Sequence, residues 1–159
     1  MKKLASALLL ATALFSPGLA SASLAREVKV SVDLVNYSGP PAYLAFYLTK
    51  PDGSFEKTVW LSGSKPRYLG DLRGWLMAAT ANGGKISIDG ITGASVGSGQ
   101  NLSISVDLAD TMIDAGYVLH VETAVEHGGD YPDDATLPVT TNAEPVAGTG
   151  YIRTLSISL

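Results

Sequence analysis

The sequence predicts an all-β fold, an antiparallel sandwich of short strands with one short helix. Three observations lead to this prediction: apolar residues recur at every second position in several runs, turn-forming residues separate these runs, and one segment shows helical spacing. The chain has 159 residues, of which 46% are hydrophobic and 16% charged. It can therefore bury the core of a single domain, and regularly spaced short strands are typical of a sandwich.

The first three strands are predicted from simple alternation and from one turn. In residues 28–34 every second side chain is apolar and the side chains between are polar, which is typical of a half-buried strand. Two further runs, residues 42–49 and 55–61, are separated by Lys50-Pro51-Asp52-Gly53-Ser54. Because Pro and Gly favour a tight turn, these two runs are expected to form a hairpin.

Four further strand candidates follow, at residues 85–88, 101–108, 117–125 and 151–159. Residues 68–77 instead place their large apolar side chains at spacings of three and four, which predicts a short helix crossing between the sheets. Residues 130–150 are rich in Pro, Asp, Thr and Gly and show no periodicity. We interpret that segment as a long surface loop.

The first 22 residues are predicted to be a secretory signal peptide. Lys2 and Lys3 precede an apolar run, and small residues follow it, with cleavage expected after Ala22 or, as a second possibility, after Ala25. The run is about a dozen residues long, short of the roughly 20 that a spanning helix needs. We therefore expect export of a mature domain, residues 23–159, to the bacterial periplasm.

Charge and composition exclude several classes of function. The chain has 11 Lys and Arg against 15 Asp and Glu, and its formal net charge is −4. Without a basic stripe, nucleic acid and anionic membrane surfaces are poor candidates as partners. The chain has no cysteine, which excludes disulfides, thiolate metal sites and a cysteine nucleophile.

The sequence predicts no catalytic or metal-ligating residue. The two histidines, His120 and His127, do not occur in a metal-ligand spacing, and His120 is expected to be a hydrogen-bonded structural residue of a strand. A Ser-His-Asp triad stays open because its members need not be close in sequence, although no nucleophile elbow supports it. Two acidic groups lack the spacing of a calcium loop and are expected to be solvated. They are Asp107, Asp110 and Asp114, and Asp130, Asp133 and Asp134.

The stretch Asp89-Gly90-Ile91-Thr92-Gly93-Ala94-Ser95 carries the most specific signal. It resembles the recognition sequence of bacterial periplasmic flavin transferases: Asp, two variable residues, Ser or Thr, Gly, Ala and a hydroxyl acceptor. In proteins with that motif the last hydroxyl receives FMN through a phosphoester bond. The resemblance implies that Ser95 is the attachment point, although Thr is usual there, and that Asp89 and Thr92 are recognised by the transferase. Gly93 and Ala94 would be the small residues beside the flavin.

A second resemblance covers residues 28–159. It rests on Ala42-Tyr43-Leu44-Ala45-Phe46-Tyr47, on residues 65–75, on Thr92-Gly93-Ala94-Ser95 and on residues 119–129. These segments are similar to a family of uncharacterised predicted periplasmic proteins, a domain of unknown function often encoded beside PepSY-type membrane proteins. The resemblance implies an immunoglobulin-like fold. In that family the loop usually reads Ser-Gly-Ala-Thr, so Ser95 departs from the pattern.

Two functions from different classes follow as hypotheses. In the first, the protein is an electron carrier with FMN on Ser95 rather than an enzyme with its own substrate. A periplasmic flavin transferase would load it, and a PepSY-type membrane reductase would supply electrons. In the second, the protein is a cofactor-free immunoglobulin-like binding or assembly module, and residues 89–95 are an ordinary loop between strands. The aromatic block from Trp60 to Trp75 either walls a flavin or packs in the core.

Overall fold

The computed structural model describes residues 24–63, 65–81, 83, 86 and 88–159. These residues form short strands, one α-helix and two 3-10 turns. The strands are β1 Ala25–Leu34, β2 Tyr43–Thr49, β3 Phe55–Ser62, β4 Thr92–Gly93, β5 Asn101–Ala109, β6 Val118–Val125, β7 Gly129–Pro138 and β8 Ile152–Ser158. The helix is α1 Arg73–Thr80, and the 3-10 turns are Pro66–Asp71 and Asp110–Met112. The predicted all-β class with one short helix is confirmed.

The strands form two sheets that pack face to face. One sheet has the order β5-β1-β8, and the other has the order β4-β3-β2-β6-β7. Alternate residues of both sheets meet in a single apolar core, among them Val30, Val32, Ile104, Leu155, Leu44, Phe46, Val121 and Leu137. The expectation of purely antiparallel pairing is wrong at one place, because β3 and β4 are parallel.

The central strand of the smaller sheet follows the predicted alternation. Val30 of β1 pairs with Ile104 on one side and with Ile157 on the other. In β8, Ile152 and Leu155 are both buried although they are three residues apart. The register against β1 skips Arg153, so a bulge returns both apolar side chains to the core.

The predicted hairpin of β2 and β3 is confirmed. Its turn is held by Asp52, whose Oδ1 accepts the Ser54 backbone N–H at 2.9 Å and the Ser54 hydroxyl at 2.7 Å. Gly53 has a φ of 81°, a conformation that glycine adopts without a steric penalty.

The prediction that the helix crosses between the sheets is wrong. It lies in the connection from β3 to β4, which are neighbours in the same sheet. Parallel neighbours need a long crossover, and a helix is the usual solution. Leu72 and Trp75 pack against Tyr47 and Leu61 on the outer face of the five-stranded sheet. The helix therefore covers that face and leaves the core between the sheets undisturbed.

The prediction of a long loop over residues 130–150 is wrong in its first half, because β7 pairs with β6 along Gly129–Pro138. A bulge at residues 132–134, opposite Glu122, interrupts the alternation. Period-two burial restarts only with Ala135, Leu137 and Val139. Because a proline and two aspartates occupy the bulge, the alternation is interrupted there and the sequence did not predict β7.

Two further predictions fall partly or wholly outside the described residues. The signal peptide, residues 1–22, lies outside them and stays a prediction. The strand expected at residues 85–88 lies partly outside, and its described members Ile86 and Ile88 are not in a strand. No helix in the described ranges is long and apolar enough to cross a membrane.

Candidate functional site

The flavin-transferase-like motif lies at the outer edge of the five-stranded sheet. Thr92 and Gly93 form β4, the outermost strand, and pair with the end of β3. The Gly63 N–H donates to the Gly93 carbonyl at 2.7 Å, and the Leu61 N–H donates to the Ile91 carbonyl at 2.8 Å. The expectation of a plain loop over residues 89–95 is therefore wrong in its centre, which is a short edge strand.

Of the five sequence-predicted site residues, Thr92 and Gly93 form this edge strand, Asp89 lies in the turn before it, and Ala94 and Ser95 follow it. Asp89, Thr92 and Ala94 are exposed, whereas Gly93 and Ser95 are half-buried. The next residue is anchored, because Val96 and Ala42 exchange backbone hydrogen bonds of 2.9 and 2.7 Å. Ser95 thus lies between two paired segments, the edge strand β4 before it and Val96 after it.

Gly93 has a packing reason of its own. A Cβ at this position would lie 2.6 Å from Cζ2 of Trp60. The Trp60 ring is held in turn by a hydrogen bond of 3.3 Å from its Nε1 to the Ser62 hydroxyl. The glycine therefore fits the motif and also fits the local packing, and Trp60 packs against the core.

A cleft of about 440 Å³ opens between the helical segment and the turn joining β6 to β7. We call it the hairpin cleft. Its charged and aromatic lining includes Arg67, Tyr68, Asp71, Arg73, Glu126 and Asp130. The Arg67 guanidinium lies 4.5 Å from the centre of the Tyr68 ring, which contacts the Tyr43 ring at 5.0 Å. The structure thus brings together residues that are far apart in sequence and that sequence reasoning did not identify.

A second, smaller cleft of about 210 Å³ lies between β3, β5 and the start of the motif. We call it the edge cleft. It is lined by Lys57, Trp60, Gly90, Ile91 and other residues of these segments. The Lys57 ammonium donates to the Asp107 carbonyl at 3.3 Å.

His120 is at the centre of a hydrogen-bonded cluster on the helix-covered sheet. Its Nδ1 lies 2.7 Å from Oδ1 of Asp133, and its Nε2 lies 2.9 Å from the Thr49 hydroxyl. Tyr47 stacks on the imidazole at 4.9 Å and donates its hydroxyl to the same Asp133 oxygen at 2.9 Å. Burial, and then the Asp133 carboxylate, raise the pKa of Tyr47, so this hydroxyl keeps its proton.

The order carboxylate, imidazole, hydroxyl resembles a catalytic triad. However, the hydroxyl belongs to Thr49, which is only 7% exposed, so a substrate has no access to it. The expectation that His120 is a hydrogen-bonded structural residue is confirmed. Asp133 has a φ of 50°, which fits its place in the bulge of β7.

Glu122 is completely buried and connects β6 to the helix. Its carboxylate accepts the Gly74 N–H at 3.0 Å and also the Trp75 N–H, both in the first turn of α1. Burial raises the pKa of Glu122, and the two backbone donors oppose part of that rise. The side chain therefore occupies donors at the helix start that would otherwise lack partners.

The expectation that the acidic group at residues 130–134 is solvated is wrong for Asp134, which is 1% exposed. Its carboxylate accepts the backbone N–H groups of four consecutive residues at 2.6 to 3.1 Å. These are Thr149, Gly150, Tyr151 and Ile152. The Thr123 hydroxyl donates a further bond of 2.6 Å. Asp134 therefore fixes the segment that leads into β8.

Among the described residues, no three His, Asp or Glu side chains are grouped as metal ligands.

Fold and site together define an all-β sandwich with a motif-bearing edge strand and two clefts. The family model of DUF2271, described as a predicted periplasmic protein, matches residues 25–154. The chain belongs to this family. No curated protein and no solved structure matches the chain.

Proposed function

We propose that this member of a predicted periplasmic family carries FMN in phosphoester linkage on Ser95 and acts as an electron carrier. The observation that supports the proposal is the position of the motif. Its centre forms the edge strand β4, and Asp89, Thr92 and Ala94 in and beside that strand are exposed. A modifying enzyme can approach such an edge without unfolding the sandwich.

The residues of this edge fit the chemistry of attachment. The Ser95 oxygen would form the bond to the phosphorus of a flavin nucleotide, with loss of the hydroxyl proton and of the donor's leaving group. Gly93 and Ala94 keep side-chain bulk away from the incoming nucleotide. Asp89 and Thr92 present a carboxylate and a hydroxyl to the transferase. When bound, the flavin supplies the redox chemistry, and the protein supplies its attachment and surroundings.

The proposed partners rest on the two sequence resemblances. A periplasmic flavin transferase would load the protein once. A PepSY-type membrane reductase would then pass electrons to it.

The test is co-expression with a periplasmic flavin transferase. The chain should gain the mass of FMN less water and keep its yellow fluorescence through denaturing electrophoresis, because a phosphoester survives unfolding. Ser95→Ala should abolish the label, and Ser95→Thr should retain it. Ser38→Ala, which changes an exposed loop serine outside the motif, should leave labelling as in the wild type. Asp89→Ala should slow labelling without altering the fold.

The alternative is a cofactor-free binding or assembly module, and the hairpin cleft is the observation that favours it. This cleft is large enough for a small ligand and contains none of the motif residues. If the wild-type chain stays colourless beside a control substrate that the same transferase labels, the carrier proposal fails. The binding module then becomes the better account.

A further inference from the structure

We propose that the hairpin cleft holds the isoalloxazine ring of the flavin attached to Ser95. This inference rests on the proposed function, and it adds a binding site for the ring to the attachment point. Its basis is the juxtaposition of the motif edge and a cleft with an aromatic wall and charged donors and acceptors.

The tether of the flavin must reach from Ser95 to the hairpin cleft. Ser95 precedes Val96, which pairs with Ala42, and Tyr43 follows Ala42 on β2. Paired strands lie about 4.8 Å apart, and the Tyr43 ring contacts the Tyr68 ring at 5.0 Å. Eight single bonds of about 1.5 Å separate the serine oxygen from the ring nitrogen of FMN, which gives roughly 10 Å when extended. A continuous series of neighbours thus leads from Ser95 through Val96, Ala42 and Tyr43 to Tyr68, and the extended tether spans about two strand spacings.

The polar groups of the hairpin cleft must match the hydrogen-bonding groups of the ring. The pyrimidine edge of isoalloxazine has two carbonyl acceptors on either side of an N–H donor. Arg73, whose Nε lies 3.9 Å from Oδ2 of Asp130, supplies donors for the carbonyls, and Asp71 and Glu126 supply acceptors for the N–H. The Arg67 guanidinium over Tyr68 is a flat cationic surface, on which an aromatic ring can stack. A purely acidic or purely basic cleft would satisfy only half of this edge.

The edge cleft beside Trp60 is the alternative site for the ring. It has about half the volume, 210 Å³ against 440 Å³, and falls below the roughly 300 Å³ typical of small-molecule sites. It lies beside Gly90 and Ile91, at the start of the motif, whereas Ser95 is at its end. Size and position therefore favour the hairpin cleft.

The experiment measures how well the labelled full-length chain protects its flavin from acrylamide, a neutral fluorescence quencher. Intact mass first establishes that each variant carries the label. Wild-type protein should protect the ring, and Arg67→Ala with Arg73→Ala should lose that protection, down to the level of free FMN. Arg153→Ala, an exposed arginine of β8, is the matched control and should retain it.

Each outcome bears on a separate claim. A chain without the added mass contradicts the proposed function, and this inference with it. A labelled wild-type chain that acrylamide quenches like free FMN contradicts the inference alone. So does protection that survives loss of both arginines, or protection that disappears instead in Trp60→Phe.

Discussion

Two buried carboxylates, Glu122 and Asp134, stabilise connections in this fold, although the sequence predicted that Asp134 is solvated and assigned no role to Glu122. Each accepts backbone N–H groups from a segment far away in the chain. Glu122 binds the start of α1, and Asp134 binds the residues that lead into β8. A single acidic residue in a strand gives no local sign that its acceptors will be used in this way, so neither role could be predicted.

The raised pKa of Glu122 predicts a pH dependence of stability. Its pKa in the folded state lies above the ordinary value of 4.5, so the folded state binds its proton more tightly than the unfolded state does. The resulting contribution to stability is fully present below pH 4.5 and is lost as the pH rises through the folded-state pKa. The free energy of unfolding, measured by urea titration across this range, should therefore show a downward step with rising pH.

Glu122→Gln should remove that step, because the amide does not titrate. Glu144→Gln, at an exposed position, controls for the loss of one formal negative charge. If the step persists in Glu122→Gln, another group is responsible and the assignment to Glu122 is wrong.

At the scale of the elements, prediction succeeded where a strand has a local apolar pattern and failed where pairing is non-local. Strands β1 and β5 alternate, whereas β2 is buried at every position and was predicted from its apolar run and the turn after it. These strands, with β3, β6 and β8, lie within a few residues of their predicted bounds. By contrast, β4 has two residues, and its parallel pairing with β3 depends on a crossover of about thirty residues, the βαβ unit length. Strand β7 carries a bulge that breaks the period. Neither feature leaves a local signal.

The same distinction holds for the candidate site. The motif is contiguous, so the sequence was sufficient to identify Asp89, Thr92, Gly93, Ala94 and Ser95 as one unit. The hairpin cleft is assembled from residues 67–73 and 125–130, which meet only after the sheet has formed. Nothing in either segment alone indicates a cleft, and its discovery required the structure.

The contact between Gly93 and Trp60 predicts the cost of adding a methyl group to the edge strand. Gly93→Ala should destabilise the protein by about 1–3 kcal/mol, the usual range for overpacking. Gly70→Ala, where the added Cβ meets nothing within 4 Å, is the matched control and should cost less. Urea unfolding of both variants measures the difference.

A double-mutant cycle identifies the cause. If the clash with the indole is responsible, Gly93→Ala should cost less in a Trp60→Leu background than in the wild type. An equal cost in both backgrounds would mean that the cost comes from the backbone conformation of residue 93 and not from a clash with Trp60.

At the scale of the whole molecule, the fold retains more interactions after one of the two expected cleavages than after the other. The Leu24 carbonyl accepts the Asp110 N–H at 2.9 Å, and Ala25 is the first residue of β1, paired with Ala109. Cleavage after Ala25 would remove both interactions, whereas cleavage after Ala22 keeps them. N-terminal sequencing of protein recovered from the periplasm should therefore begin at Ser23. A start at Arg26, or an uncleaved chain in membranes, would contradict this prediction.

The strand order has a consequence for the kinetics of folding. Strand β1 lies between β5 and β8, and its residue Val30 pairs with Ile157, which is far away in the chain. The smaller sheet therefore cannot close until β8 is available. Contacts between such distant segments make folding slow, since long loops must be ordered before the contacts form. A chain that folds slowly stays unfolded for longer. A translocation channel that exports unfolded proteins can pass a chain only in that state.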